Sequence, residues 1–191
     1  DMVKTAFLDR AITDKVQLTS ANSINVARWL PQMFYFAFAY QQLKDKSKPL
    51  VFSVPSGNFG NICAGIMARQ LGLPIDHFVA STNANRVVPN FMDSGLYRPL
   101  KSVSTISNAM DVGNPSNFNR IVDLFQTGTE RELHPERSTW NNIRKIIDGY
   151  SFSDEETRIA MVKVFAAFYY VLDPHGAVGY LALEAFQKEN P

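Results

Sequence analysis

An α/β fold built on a mostly parallel sheet is the class this sequence predicts, and three observations carry it. Residues 49–82 read in order as a proline, a short apolar β-branched run, a glycine-rich turn, a helical stretch and a second apolar run. That order is a βαβ unit, and it implies parallel strands joined by a right-handed crossover. The stretches on either side carry helical spacing. Of the 191 residues, 46% are hydrophobic and 19% charged, a balance that suits a packed domain rather than a disordered tail.

Each element has its own signal. Asn22 or Ser23 is a good N-cap, and Ile24, Ala27, Leu30, Phe34, Ala37 and Phe38 follow helical spacing after it. Pro31 inside this run predicts a kink. The aromatic crowding at Phe34, Tyr35, Phe36, Phe38 and Tyr40 predicts a helix buried on several sides. Next, L-V-F-S-V-P reads as a buried strand, I-C-A-G-I-M-A-R-Q-L-G as a helix ended by Gly72 and Pro74, and I-D-H-F-V-A-S-T as a second strand. Residues 82–116 are rich in Asn, Ser, Gly and Pro with little periodicity, and read as a long loop of the kind that lines sites. Beyond it the chain is mostly helical, with helices predicted over 117–125 and 138–147. S-D-E-E at 153–156 is a capping box opening a helix through Phe168. Asp173 and Pro174 start a last helix carrying Ala177, Leu181 and Leu183. With no repeat and no Gly/Ser-rich linker, residues 1–191 read as one domain.

Composition excludes several classes. Net charge is +1, from 19 basic and 18 acidic residues, so neither nucleic acid nor an anionic membrane is an expected partner. Lys44, Lys46 and Lys48 read as a solvated turn. Cys63 is the only cysteine, which excludes an internal disulfide and a thiolate zinc site. With no signal-peptide pattern, it points to a reducing, cytoplasmic setting. The longest apolar run, 33–39, is too short to cross a bilayer. His77, His134 and His175 lack metal-ligand spacing, and no Ser-His-Asp arrangement or nucleophile elbow is visible. The chain opens Asp1, Met2, so it reads as either a processed product or a piece of something longer.

Three places could carry chemistry. In S-V-P-S-G-N-F-G-N, residues 53–61, a strand ends, two glycines free the backbone and a helix starts at once. Such a turn can aim several N–H groups at one anion, aided by the helix field. Ser56 and Asn58 add side-chain donors, and Phe59 restrains the loop. It is neither a dinucleotide fingerprint nor a Walker loop, and a purely geometric strand-to-helix turn remains open. Thr19, Ser20, Asn22, Ser23 and Asn25, with Arg28 one turn on, are either redundant caps or ligands of a second anion. His175, in D-P-H-G-A-V-G, is either part of a capping turn or a site residue.

These residues resemble one family. S-V-P-S-G-N-F-G-N-I-C-A-G resembles the phosphate-binding loop of threonine synthases, which are fold-type II pyridoxal-phosphate enzymes with a three-layer α-β-α architecture like that of the tryptophan synthase β chain. T-S-A-N-S-I-N-V-A-R-W-L, S-T-N-A-N-R-V-V-P-N-F, S-T-I-S-N-A-M-D-V-G-N-P-S-N-F and D-P-H-G-A-V-G-Y-L-A-L are similar to other motifs of that family, in the same order, over about residues 3–184. The resemblance implies conversion of O-phospho-L-homoserine and water to L-threonine and phosphate on pyridoxal 5'-phosphate. Carried over, Ser56, Gly57, Asn58, Phe59, Gly60 and Asn61 hold the cofactor phosphate through backbone amides. Ser23, Asn25, Asn83 and Asn108 line the substrate side, with Asp111 and His175 as further candidates.

Two departures stand out. Arg86 follows T-N-A-N, where the family pattern has an acidic residue. The family's Schiff-base lysine lies in an S-F-K-D-like motif well upstream, and no lysine here has that context; its closing T-A-H-P-A-K stretch does not occur before Pro191. No catalytic residue is therefore assigned in this chain, which is expected to be inactive alone. Two other readings stay open: another fold-type II lyase such as a threonine dehydratase, and a non-catalytic phosphate-binding module.

Overall fold

The computed structural model describes residues 2–19, 25–126 and 137–191. Among these residues three strands form one parallel sheet in sequence order: β1 (Val51–Pro55), β2 (His77–Thr82) and β3 (Ile147–Ser151). The register pairs Val51 with His77 and Pro55 with Ser81, then Phe78 with Ile147 and Thr82 with Ser151. β2 lies between the others, and every residue of it after His77 is buried. That is why F-V-A-S-T shows no polar alternation, since a central parallel strand is covered on both faces.

Helices cover both faces of the sheet. On one side lie α3 (Trp29–Gln42) and α4 (Gly60–Gln70). Phe36 of α3 meets Phe52 and Phe78 edge-on, at 4.9 and 6.0 Å between ring centres. A side-chain carbon on Gly65 of α4 would fall 2.6 Å from the Phe78 ring, so glycine is what lets this helix approach the sheet. Ile62 and Ile66 of α4 are also buried, each contributing roughly 1.5–3 kcal/mol of apolar burial. α5 (Val87–Ser94) packs on the same side, with Pro89 and Met92 against Gly149 of β3. On the opposite face lies α9 (Pro174–Glu189), where Ser53 Oγ donates to Gly179 O at 2.6 Å and Phe186 stacks on His77. The result is a three-layer α-β-α domain, the predicted class.

The remaining helices among the described residues are α1 (Met2–Leu8), α2 (Arg10–Thr13), α6 (Phe118–Phe125), α7 (Arg137–Arg144) and α8 (Asp154–Phe168). α6 packs on α4 and α7, α7 also on β3, and α8 on α9, whereas α1 packs on α2. α8 opens on the predicted capping box, with Ser153 Oγ accepting from Glu156 N–H while the Glu156 carboxylate accepts from Ser153 N–H. Among the described residues, no helix is long and apolar enough to cross a membrane.

Several expectations are corrected. The first long helix begins at Trp29 after a 3-10 turn, Val26–Arg28, so Pro31 sits in its first turn. There its missing N–H has no intrahelical partner to lose, and no kink is needed. The aromatic face of that helix is not buried all round: Phe34, Tyr35 and Phe38 are more than half exposed, and Phe36 alone of the five aromatics enters the core. The stretch 138–147 is not one helix, because α7 ends at Arg144 and β3 begins at Ile147. Part of the expected 82–116 loop is α5. The caps Asn22 and Ser23 and His134 lie outside the described residues.

Candidate active site

Parallel strands leave a crevice outside their carboxyl ends, where such sheets bind ligands, and the loops that follow all three strands meet there. Residues 56–61 leave β1 and enter α4. Ser56 N–H donates to Ser81 O, extending the β1–β2 ladder by one bond. Ser56 Oγ then donates to Asn61 Oδ1 at 2.8 Å, and Asn61 Nδ2 donates to Pro55 O at 2.9 Å. Asn58 Oδ1 accepts from Ser116 N–H at 2.7 Å and from Ser116 Oγ at 3.0 Å. The three polar side chains of the loop thus brace the loop itself, rather than standing free as the donors expected for Ser56 and Asn58.

Two backbone features give this loop its shape. Phe59 is left-handed, with φ 62°, at a cost of roughly 1–2 kcal/mol for a non-glycine residue. Its ring is 2% exposed and packs edge-on against Phe118 at 5.8 Å, and that burial offsets the strain. Gly57 lies so close to the neighbouring loop that an added Cβ would sit 2.7 Å from Met110 Cα and 3.0 Å from Ala109 O. α4 starts at Gly60, where Phe59 gives no side-chain cap while Asn61 Oδ1 accepts from Ile62 N–H at 2.9 Å. A helix start leaves its first N–H groups without intrahelical acceptors. A neutral, glycine-opened loop running straight into a helix start fits a phosphate group. The thiol of Cys63, one turn into α4, is pushed up to about 12 by burial, so it stays protonated and inert.

The second wall is a polar network after β2. Asn83, 1% exposed, donates from Nδ2 to Asp111 Oδ1 at 2.9 Å and to Thr105 Oγ1 at 2.8 Å. Thr105 presents its hydroxyl to Asp111 Oδ1 at 2.7 Å and its N–H to Oδ2 at 3.1 Å. Asn85 bridges Asn83 Oδ1, Val103 O and Asp111. At the end of β3 Ser151 Oγ donates to Asn83 O, and beyond it the Asp154 carboxylate accepts from Ile106 N–H. Arg86 points away, with Nε on Asn90 Oδ1 at 2.8 Å.

The structure therefore brings Ser56–Asn61, Asn83, Asp111 and His175 to one end of the sheet, linked through the 105–116 loop. Asn83 and Asp111, expected on the substrate side, face each other. Asn108 is exposed at the head of the 3-10 turn Asn108–Met110. Asn25 opens the turn before α3, its side chain accepting from Ala27 N–H at 3.0 Å, and Ser23 lies outside the described residues. His175 reaches the Asn108–Met110 turn, with Nε2 accepting from Ala109 N–H at 3.3 Å. Desolvation alone would raise the Asp173 carboxyl, but hydrogen bonds from the His175 ring and from Gly176 and His175 N–H hold it below its ordinary value. Thr105, Asn85 and Ser116 were not foreseen; of these, Asn85 stands in the T-N-A-N motif and gave some signal. Ser81 Oγ is buried with no hydrogen-bond partner among the described residues.

Among the described residues no group of His, Cys, Asp and Glu side chains could hold a metal ion. The fold is that of the fold-type II pyridoxal-phosphate enzymes; the L-serine ammonia-lyase of Rhizomucor miehei, 14% identical, shares the fold at a TM-score of 0.59 over 84% of this chain and 46% of that one. No protein-family model matches the chain. In sequence it is 42% identical over 190 residues to the threonine synthase of Buchnera aphidicola subsp. Acyrthosiphon pisum, covering 99% of this chain and 41% of that protein. Yeast threonine synthase superposes with a TM-score of 0.88 at 32% identity, over 100% of this chain and 43% of that one. The pyridoxal-phosphate-bound threonine synthase of Brucella melitensis gives 0.86 at 30% identity, over 96% and 42%. The chain belongs to the threonine synthase family and spans about two fifths of the length of the curated relatives it matches.

Proposed function

We propose that the complete protein is a threonine synthase that takes O-phospho-L-homoserine and water to L-threonine and phosphate, using pyridoxal 5'-phosphate. The observation that carries this reading is the braced, glycine-opened loop Ser56–Asn61, which runs into the start of α4 at the carboxyl edge of the sheet, in a chain whose relatives over this span are threonine synthases. The backbone N–H groups at the start of α4 would bind the cofactor phosphate, and the loop's lack of cations leaves amides and the helix field as the source of affinity. Gly57 sets how closely the loop and the 108–112 segment approach. The Asn83–Asp111–Thr105 network holds that segment in place, while exposed Asn108 remains the side chain best free to meet a substrate. When bound, the cofactor ring supplies the electron sink for the chemistry, and the protein supplies position. The lysine of the family's S-F-K-D-like motif belongs, on this reading, to a part of the protein outside this chain. A cytoplasmic setting is supported by the lone, buried cysteine.

The test is phosphate release from O-phospho-L-homoserine, together with calorimetric titration of pyridoxal phosphate. The complete protein is expected to bind the cofactor and release phosphate, and residues 1–191 alone to release none. A complete protein that binds no pyridoxal phosphate, or binds it and turns over no substrate, overturns the assignment. Turnover by the 191-residue chain alone overturns the placement of the lysine.

A further inference from the structure

His175 was expected among the substrate contacts, yet both of its ring nitrogens are engaged within the chain. Nδ1 lies 2.9 Å from Asp173 Oδ1, and Nε2 accepts from Ala109 N–H at 3.3 Å. An acceptor at Nε2 needs a free lone pair there, so the proton resides on Nδ1 and the ring is neutral. Asp173 also accepts from the His175 and Gly176 N–H groups, at 2.8 and 3.3 Å. It therefore caps α9 without the imidazole, and capping alone does not account for the ring's placement.

Ala109 is where the consequence lies. Its N–H meets His175, and its carbonyl oxygen stands 3.0 Å from where a Cβ on Gly57 would be, with Met110 Cα at 2.7 Å. One residue of the Asn108–Met110 turn thus touches α9 through its donor and the glycine loop through its acceptor side. We infer that His175 is a positioning residue: as a neutral imidazole braced by Asp173, it fixes the Asn108–Met110 turn and, through it, the surface on which Gly57 of the phosphate loop rests. Substrate does not need to touch the ring for the ring to matter. The binding arm of the test rests on the cofactor reading of residues 56–61; the other arm does not.

The complete protein is compared with His175→Ala, His175→Asn and His175→Gln. Glutamine places an acceptor where Nε2 was, whereas asparagine keeps only a group near Nδ1. Hydrogen–deuterium exchange at the Ala109 amide is read without cofactor, with α8 amides as the reference for global stability, and pyridoxal phosphate affinity is read by calorimetry. Loss of one hydrogen bond predicts exchange about tenfold faster, and affinity about tenfold weaker, in the Ala and Asn variants. The Gln variant is expected to stay within about threefold of the parent, as expected for a restored acceptor. Ala109 exchange unchanged in His175→Ala, or glutamine rescuing no better than asparagine, overturns the inference. Exchange that follows the pattern supports it even if the parent takes up no pyridoxal phosphate, in which case the cofactor reading is what fails.

Discussion

Replacing Asp111 by alanine separates two roles that the sequence left joined. The carboxylate accepts from Thr105 Oγ1 at 2.7 Å, Asn83 Nδ2 at 2.9 Å, Thr105 N–H at 3.1 Å and Asn85 Nδ2 at 3.3 Å. After truncation Asn83 still reaches Ser107 O and Ser107 Oγ, the Thr105 hydroxyl can turn to Ser107 Oγ, and Asn85 keeps Asn83 Oδ1 and Val103 O. Thr105 N–H is the donor with no replacement. A hydrogen bond to a charged group is worth about 1.5–3 kcal/mol, and the lower figure applies at this half-buried carboxylate. Two short bonds weakened and one donor orphaned give about 3 kcal/mol. With a urea slope of about 2 kcal/mol per molar, the midpoint should fall by about 1.5 M. Circular dichroism during urea unfolding measures it. A midpoint displaced by less than ~0.3 M, together with weakened substrate binding, would refute the structural role and return Asp111 to the substrate side.

Two further predictions follow from packing and burial. Gly113→Ala drives a methyl group onto the Leu100 carbonyl oxygen and against Ser102 N; both are backbone atoms that cannot swing aside, so a thermal melt should show a loss at or above the usual overpacking cost of about 1–3 kcal/mol. The Cys63 thiol, raised by burial to about 12 from 9.0, holds its proton more tightly folded than unfolded. Its contribution is fully present below pH 9 and is lost as pH rises toward 12. Cys63→Ala should therefore flatten the fall in urea midpoint between pH 8 and pH 10 by about 1 kcal/mol of the alkaline loss. Identical pH profiles for the two proteins would contradict this.

The parts of the fold legible in the sequence were those set by local chemistry. β1, β2 and α4 announce themselves through an apolar run, a glycine turn and a helical run in succession, and α8 and α9 through the Ser153 and Asp173 caps. β3 was hidden because Gly149 interrupts it. That glycine is there to admit Pro89 and Met92, a reason visible only once α5 is in place. α5 was hidden in turn by Pro89, which reads as a breaker yet sits in the helix's first turn. The glycine loop was found because its residues are contiguous. The Asn83–Asp111 contact joins positions 28 apart across a stretch with no period, and no spacing rule reaches it. The same limit applies to His175 and Ala109, 66 apart.

The inward-turned side chains of residues 56–61 have a consequence for how a ligand would arrive. Because Ser56, Asn58 and Asn61 use their polar groups on Asn61, Ser116 and Pro55, the loop is cast before any phosphate reaches it. Ordering a mobile side chain on binding costs about 0.5–1.5 kcal/mol; here that cost falls on folding, and association meets a rigid mould. Capture by such a surface is governed by encounter and orientation rather than by rearrangement, so its rate should track solvent viscosity more closely than temperature-dependent loop closure would allow.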